Sequence, residues 1–241
     1  MSEAVTMDPV CCREARAQLR ISTAQALISN RMETNPMVGN PVTQMQAYRV
    51  EDFAAEVEAV VANEHDQARL IPQLEPLLAR FLAAGTLPDQ YCLPVPGRVA
   101  SEHQDFTLYR LHRGTDDRFN IMVAIWPPGG GTGVHDHAGN WVVEGVYRNC
   151  LHTIRYARQD DGRRPGHATL RQTMALDLLP GEVAHVKYPD AAIHDFINRS
   201  AAATVSVHIY GGDITKETLN YFDPATGTVQ TVAHDLSYDN E

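Results

Sequence analysis

The sequence predicts a mainly β, single-domain barrel or sandwich preceded by short N-terminal helices. Three observations lead there. From about residue 97 onward, short segments rich in β-branched and aromatic residues recur, among them FNIMVAIW (119–126), NWVVEGVY (140–147), HTIRYAR (152–158) and TVSVHIY (204–210). Turn signals separate them: PPGGG (127–131), QDDG (159–162), LPG (179–181) and YGGD (210–213). Strand–helix alternation does not occur, which disfavours a parallel α/β fold. A chain of 241 residues is long enough to bury one large core without staples.

Taken in order, residues 1–34 carry only a weak helical pattern at Leu19, Ala24, Leu27 and Ile28, and NPMVGNP (35–41) reads as a linker. Residues 1–45 are therefore expected to be an extension and 46–241 the domain. In VEDFAAEVEAVVAN, Phe53, Val57, Val60 and Val61 share one helical face, with Glu51 and Asp52 in the first turn where the macrodipole favours them. PLLARFLAAG opens with Pro76 at a first helical position and closes with Gly85 beyond the end, its apolar face being Leu77, Leu78, Phe81 and Leu82.

Thirty acidic against twenty basic residues give a net charge of -10, which argues against nucleic acid or an anionic membrane surface as partner. No apolar run approaches the ~20 residues of a membrane span. The N-terminus lacks the pattern of a secretory signal, and the four cysteines show no disulfide-framework spacing. The expectation is a cytoplasmic protein, a monomer or small homo-oligomer.

The candidate chemistry lies in TGVHDHAGNWVVEGV (132–146). On a strand, His135 and His137 point to one side and Asp136 to the other, a natural chelating pair. The glycines before them let the backbone turn tightly into that position. A third imidazole, His194, lies in YPDAAIHDFIN, and a barrel would set that strand beside the first. Farther on, Ser206, His208 and Tyr210 alternate with Val205, Val207 and Ile209. Three hydrogen-bonding side chains in a row on an inward face are costly unless they satisfy one another or line a cavity. The remaining histidines, His103 and His185 among them, read as surface or ordinary core residues.

P-x-A-x-x-H-x-x-x-N, ending at Asn198, is similar to the second cupin motif, with Ala191 where that motif usually has glycine, and GTGVHDH looks like the start of the first. The first motif usually adds a metal-binding glutamate three or four residues past its second histidine. Here Trp141 and Val142 stand in that region, and Glu144, farther on, is expected to be salt-bridged or solvated. Together FNIMVAIWPPGGGTGVHDH, AIHDFINRS and VSVHIYGGD resemble the cysteine dioxygenase family of thiol dioxygenases, over about residues 50 to 230. The resemblance implies a single-domain cupin, a double-stranded β-helix or jelly-roll barrel. It implies one Fe(2+) per chain held by His135, His137 and His194, and a Ser206–His208–Tyr210 row that sets the tyrosine hydroxyl near substrate and O2. Some members cross-link that tyrosine to a cysteine, but Val142 stands at the corresponding place, so Tyr210 should be unmodified.

Three neutral histidines leave the full charge of a divalent ion in place, and a thiol drawn to such a centre is deprotonated. The implied reaction carries both oxygen atoms to sulfur and ends at a sulfinate. A substrate carboxylate suits the bidentate fork of an arginine; TLYRLHRG offers Arg110 and Arg113, and a one-residue gap brings Arg110 into register with the family's arginine. The substrate ranking is L-cysteine, then 3-mercaptopropionate, then cysteamine. Two other classes stay open: a non-catalytic metal- or ligand-binding cupin, and a zinc or manganese cupin isomerase, which the displaced first-motif glutamate disfavours.

Overall fold

The computed structural model describes residues 48–98, 100–189, 192–234 and 236–241, so the expected extension over 1–45 lies outside the described residues. Among the described residues two helices come first, α1 (Val50–Asn63) and α2 (Gln67–Ala84). Ten strands follow: β1 (Thr107–Arg113), β2 (Phe119–Trp126), β3 (Val142–Arg148), β4 (Leu151–Arg158), β5 (Leu170–Leu178), β6 (Val183–Val186), β7 (Ile193–Ile197), β8 (Thr204–Gly211), β9 (Thr218–Asp223) and β10 (Thr228–Ala233).

The first helix has the expected bounds and buries Phe53, Ala54, Val57 and Val61. The second is longer than expected. It starts at Gln67, where the Asp66 carboxylate accepts from the Ala68 N–H at 2.9 Å, and both Pro72 and Pro76 lie inside it. Each interior proline removes one i→i−4 hydrogen bond, at a cost of about 3 kcal/mol. Burial of Leu70, Ile71, Leu74, Leu78, Phe81 and Leu82 along one face offsets that loss. Phe53 stacks on Phe81 with ring centroids 4.5 Å apart, fastening α1 to α2.

The strands form a five-stranded sheet in the order β1-β2-β8-β3-β6, a three-stranded sheet β5-β4-β7 and a two-stranded sheet β10-β9. Every ladder is antiparallel. β2 and β8 are buried along their whole length, because α1 and α2 cover one face of the large sheet and the cavity lies on the other. The period of two then sorts the side chains. Phe119, Ile121, Val123, Ile125, Val143, Val205, Val207 and Ile209 join the helices in one core. Met122, Ala124, Trp126, Val142, Val146 and Tyr210 belong to a second core inside the barrel, which Phe196 of β7 also enters. The expected jelly-roll barrel with leading helices is present.

Candidate metal centre

The segment bearing His135 and His137 is an extended loop between β2 and β3 rather than a regular strand. Isolated bridges hold it: His135 N–H donates to the His194 carbonyl at 2.9 Å, His194 N–H donates back to the His135 carbonyl at 3.0 Å, and Gly131 bridges Ile197. These bridges stitch the loop to β7 and bring the HxH pair against the third histidine. Two glycines make the approach possible. A Cβ on Gly131 would collide with the Phe196 carbonyl oxygen, and Gly133 has φ +68, in the left-handed region.

The three imidazoles converge. Ring centroids lie 4.9 Å apart for His135–His137 and His135–His194, and 4.7 Å for His137–His194. One ring nitrogen from each falls within 4.8 Å of the others. Exposures of 5%, 4% and 1% put all three inside the barrel. Burial, the largest influence, holds His135 below the usual histidine range and His137 and His194 well below it. Neutral rings with free lone pairs are what a divalent ion requires.

Hydrogen bonds also select the tautomer. His135 Nδ1 lies 3.0 Å from the Gly133 carbonyl oxygen, and His137 Nδ1 lies 3.4 Å from that of Ala192. A carbonyl can only accept, so Nδ1 carries the proton on both rings and Nε2 is left for a metal. The donor set fits a cupin metal centre.

The expected row is present, with one rearrangement. His208 and Tyr210 line the cavity, which encloses about 50 Å3, and Ser206, two residues before His208 on β8, is buried behind them. Trp126 Nε1 donates to Ser206 Oγ at 2.7 Å, and Ser206 Oγ lies 2.7 Å from His208 Nε2. Tyr210 is not joined to His208. Its hydroxyl donates instead to the His137 carbonyl at 3.0 Å, across the loop. Burial pushes the phenol far above the usual tyrosine value, with an Asn140 hydrogen bond acting against it. Val142 is the ladder partner of Tyr210, so an apolar side chain stands where a cross-linking cysteine would be needed.

Two expectations change. Arg110 stands on the inner face of β1, two residues from cavity-lining Leu108, yet it does not line the cavity. Its guanidinium sits over the Tyr238 ring at 4.1 Å and pairs with Glu241 at 2.8 Å and Asp213 at 3.5 Å. Glu144 is neither solvated nor in an ion pair with a lysine or arginine. It is 1% exposed and lines the cavity, with Oε1 3.7 Å from His194 Nδ1 and Oε2 3.7 Å from His208 Nδ1.

Two further residues enter that the sequence did not single out. His103 lines the cavity, stacked on Tyr221 with centroids 3.7 Å apart, and its buried Nε2 has no hydrogen-bond partner. Arg155 shares the inner face of β4 with buried Leu151 and Thr153 and is the ladder partner of His194. Its Nε is buried without a hydrogen-bond partner, and its charge is among the influences lowering His137 and His194. His185, by contrast, points outward to Glu75, with Nδ1 2.7 Å from the carboxylate.

A family model described as cysteine dioxygenase type I matches residues 99–223, more than half of the chain. The chain belongs to this family. For a cysteine dioxygenase family member, the triad of histidines is the expected place of the metal.

Solved structures also resemble it. The cupin domain of an XRE-family transcriptional regulator from Enterobacter cloacae is 15% identical, covering 46% of this chain and 99% of that one, with a TM-score of 0.32. A cupin-superfamily sugar phosphate isomerase from Silicibacter pomeroyi is 20% identical, covering 60% and 86%, with a TM-score of 0.39. Oxalate oxidase in complex with the substrate analogue glycolate is 15% identical, covering 54% and 66%, with a TM-score of 0.36. Among the described residues no helix is long and apolar enough to cross a membrane.

Proposed function

We propose that residues 46–241 form an iron(II)-dependent thiol dioxygenase domain that oxidises a small thiol, L-cysteine first, to its sulfinate. The balance is RS⁻ + O2 → RSO2⁻, with the thiol proton leaving to solvent or a nearby base. The observation that carries this reading is the buried triad His135, His137 and His194, which fits a metal, in a chain of the cysteine dioxygenase type I family. Nitrogen donors suit zinc and iron alike, so family membership supports the choice of iron. Bound there, one ferrous ion per chain would supply dioxygen activation and favour the thiolate form of the substrate. The protein acts on this reading as a cytoplasmic monomer or small homo-oligomer.

The chain's own groups have distinct tasks. Gly133 and Ala192 carbonyls hold the His135 and His137 rings in the Nδ1–H tautomer. Trp126, Phe196, Met122 and Val142 wall the cavity with apolar surface, which limits water and strengthens each polar contact inside. Tyr210 spends its proton on the His137 carbonyl, so its hydroxyl faces the cavity as an acceptor fixed relative to a metal ligand. For the substrate carboxylate, Arg110 is already held by Asp213 and Glu241. Neither arginine lines the cavity and both have a buried, unpartnered Nε. Arg155, however, is the ladder partner of His194 and, among the described residues, pairs with no carboxylate, which supports it for that role instead.

Single replacement tests the centre. His135→Ala, His137→Ala and His194→Ala should each lose most bound iron and nearly all activity while remaining folded, because the two apolar cores do not depend on the ion. His185→Ala should keep its iron. Full iron occupancy in His194→Ala would show that the third ligand is another residue.

A further inference from the structure

The third histidine lacks what supports the other two. His135 and His137 each direct Nδ1 at a backbone carbonyl, whereas His194 Nδ1 is buried with no hydrogen-bond partner. Facing it is Glu144 Oε1, likewise buried without a partner, at 3.7 Å. Each orphaned atom is the natural complement of the other, one N–H and one acceptor. They stand about 0.5 Å beyond ordinary hydrogen-bond range.

The second carboxylate oxygen repeats the arrangement. Glu144 is the ladder partner of His208, and Oε2 lies 3.7 Å from His208 Nδ1. The proton on that ring can be placed. Trp126 Nε1 only donates, so Ser206 Oγ must accept from it at 2.7 Å. The serine hydroxyl has no other hydrogen-bond acceptor among the described residues, so its own hydrogen points at His208 Nε2, 2.7 Å away. A neutral His208 therefore carries its proton on Nδ1, on the side of Glu144.

We propose that Glu144 is a positioning residue that takes an N–H from His194 and one from His208, joining the third metal ligand to the Trp126–Ser206–His208 chain. This rests on reading the three histidines as a metal centre. A carboxylate buried this deeply is strongly unfavourable without donors, and no arginine or lysine lines the cavity among the described residues. Two imidazole N–H groups supply the donors. They also fix His194 with Nε2 toward His135 and His137, as the two carbonyls do for those rings. The sequence pattern points the same way: Val142, Glu144 and Val146 share the inward side of β3, so Glu144 interrupts an otherwise apolar face opposite His208.

The test is anaerobic titration of the metal-free full chain with Fe(2+), and separately with Co(2+), for wild type, Glu144→Leu and Glu144→Gln. Leucine fills similar volume without an acceptor, and metal affinity should fall about 10- to 100-fold, as for other outer partners of ligating histidines. Glutamine keeps one acceptor oxygen, and affinity should stay within about 5-fold of wild type, the worth of roughly one net hydrogen bond. In ¹⁵N spectra of the metal-free protein, His194 should be the Nδ1–H tautomer in wild type and mixed in Glu144→Leu. If leucine prevents folding, Glu144→Gln against wild type and Glu144→Met carries the same comparison. Equal affinities in all variants would overturn the proposal. So would glutamine falling as far as leucine, which would make Glu144 a direct ligand. No thiol or oxygen is present in these titrations, so a chain that shows the expected affinities but oxidises no thiol would refute the dioxygenase reading and leave the positioning role supported.

Discussion

Replacing Tyr210 by phenylalanine separates a structural role of the hydroxyl from a catalytic one. The ring stays, packed at 1% exposure, and the 3.0 Å hydrogen bond to the His137 carbonyl is lost together with the contact to Asn140. A net buried hydrogen bond, together with part of the penalty for an unsatisfied carbonyl, amounts to about 1–2 kcal/mol. For a domain of roughly this size each kcal/mol moves Tm by about 2–4 °C, so a fall of about 2–8 °C is expected by differential scanning calorimetry. Iron content should be unchanged, because the tyrosine contacts the loop through a carbonyl and not through a ligand nitrogen. Turnover should fall by about 10- to 1000-fold if the fixed hydroxyl acts like other preorganised polar groups. Intact mass of the wild type should show no loss of two hydrogens, as Val142 faces Tyr210. A variant with lowered Tm but wild-type kcat/KM would show that the hydroxyl only braces the loop, and the catalytic assignment would be wrong.

The two arginines should part company. Arg155→Ala is expected to raise KM for a carboxylated thiol by about 10- to 150-fold, the equivalent of 1.5–3 kcal/mol for a charge-assisted hydrogen bond, and to change cysteamine oxidation little. Arg110→Ala should leave KM alone and lower stability by about 1–3 kcal/mol, since it strips one partner from Asp213, whose side chain is 2% exposed but keeps Lys216 and Thr215; the reverse pattern would restore Arg110 as the clamp. Acid should destabilise the metal-free protein. Burial holds the folded pKa of His135, His137 and His194 below that of the unfolded chain, so their contribution is present above the ordinary histidine pKa of about 6.5 and is lost as pH falls below it. Urea midpoints should drop between pH 7.5 and 5.5, and less steeply in His137→Ala; equal slopes would argue against these rings as the source.

Much of the scaffold was legible because β2 and β8 are central strands, and their β-branched runs follow directly from burial on both faces. The histidine spacing was legible too, since HxH brings two rings to one side in a strand or an extended loop alike. The start of α2 was not. Pro76 looks like a helix opener, and only the packing of Leu70, Ile71 and Leu74 explains a helix that runs through two prolines. The burial of Glu144 was not legible, because its surroundings come from His194 on β7, a strand of another sheet, and from β8, whose pairing with β3 no local pattern announces. The choice between Arg110 and Arg155 depends on where Asp213 and the segment ending at Glu241 lie, again a matter of contacts distant in sequence.

The central claim is that this triad, loaded with iron, inserts both atoms of O2 into a thiol. It is tested most directly by giving ¹⁸O2 to the anaerobically iron-loaded protein with L-cysteine, while oxygen uptake and bound metal are measured on the same sample. One iron per chain, one O2 consumed per thiol and a sulfinate carrying two ¹⁸O atoms is the expected result. Full iron occupancy with no thiol-dependent uptake, or uptake that yields only disulfide and peroxide, would contradict it.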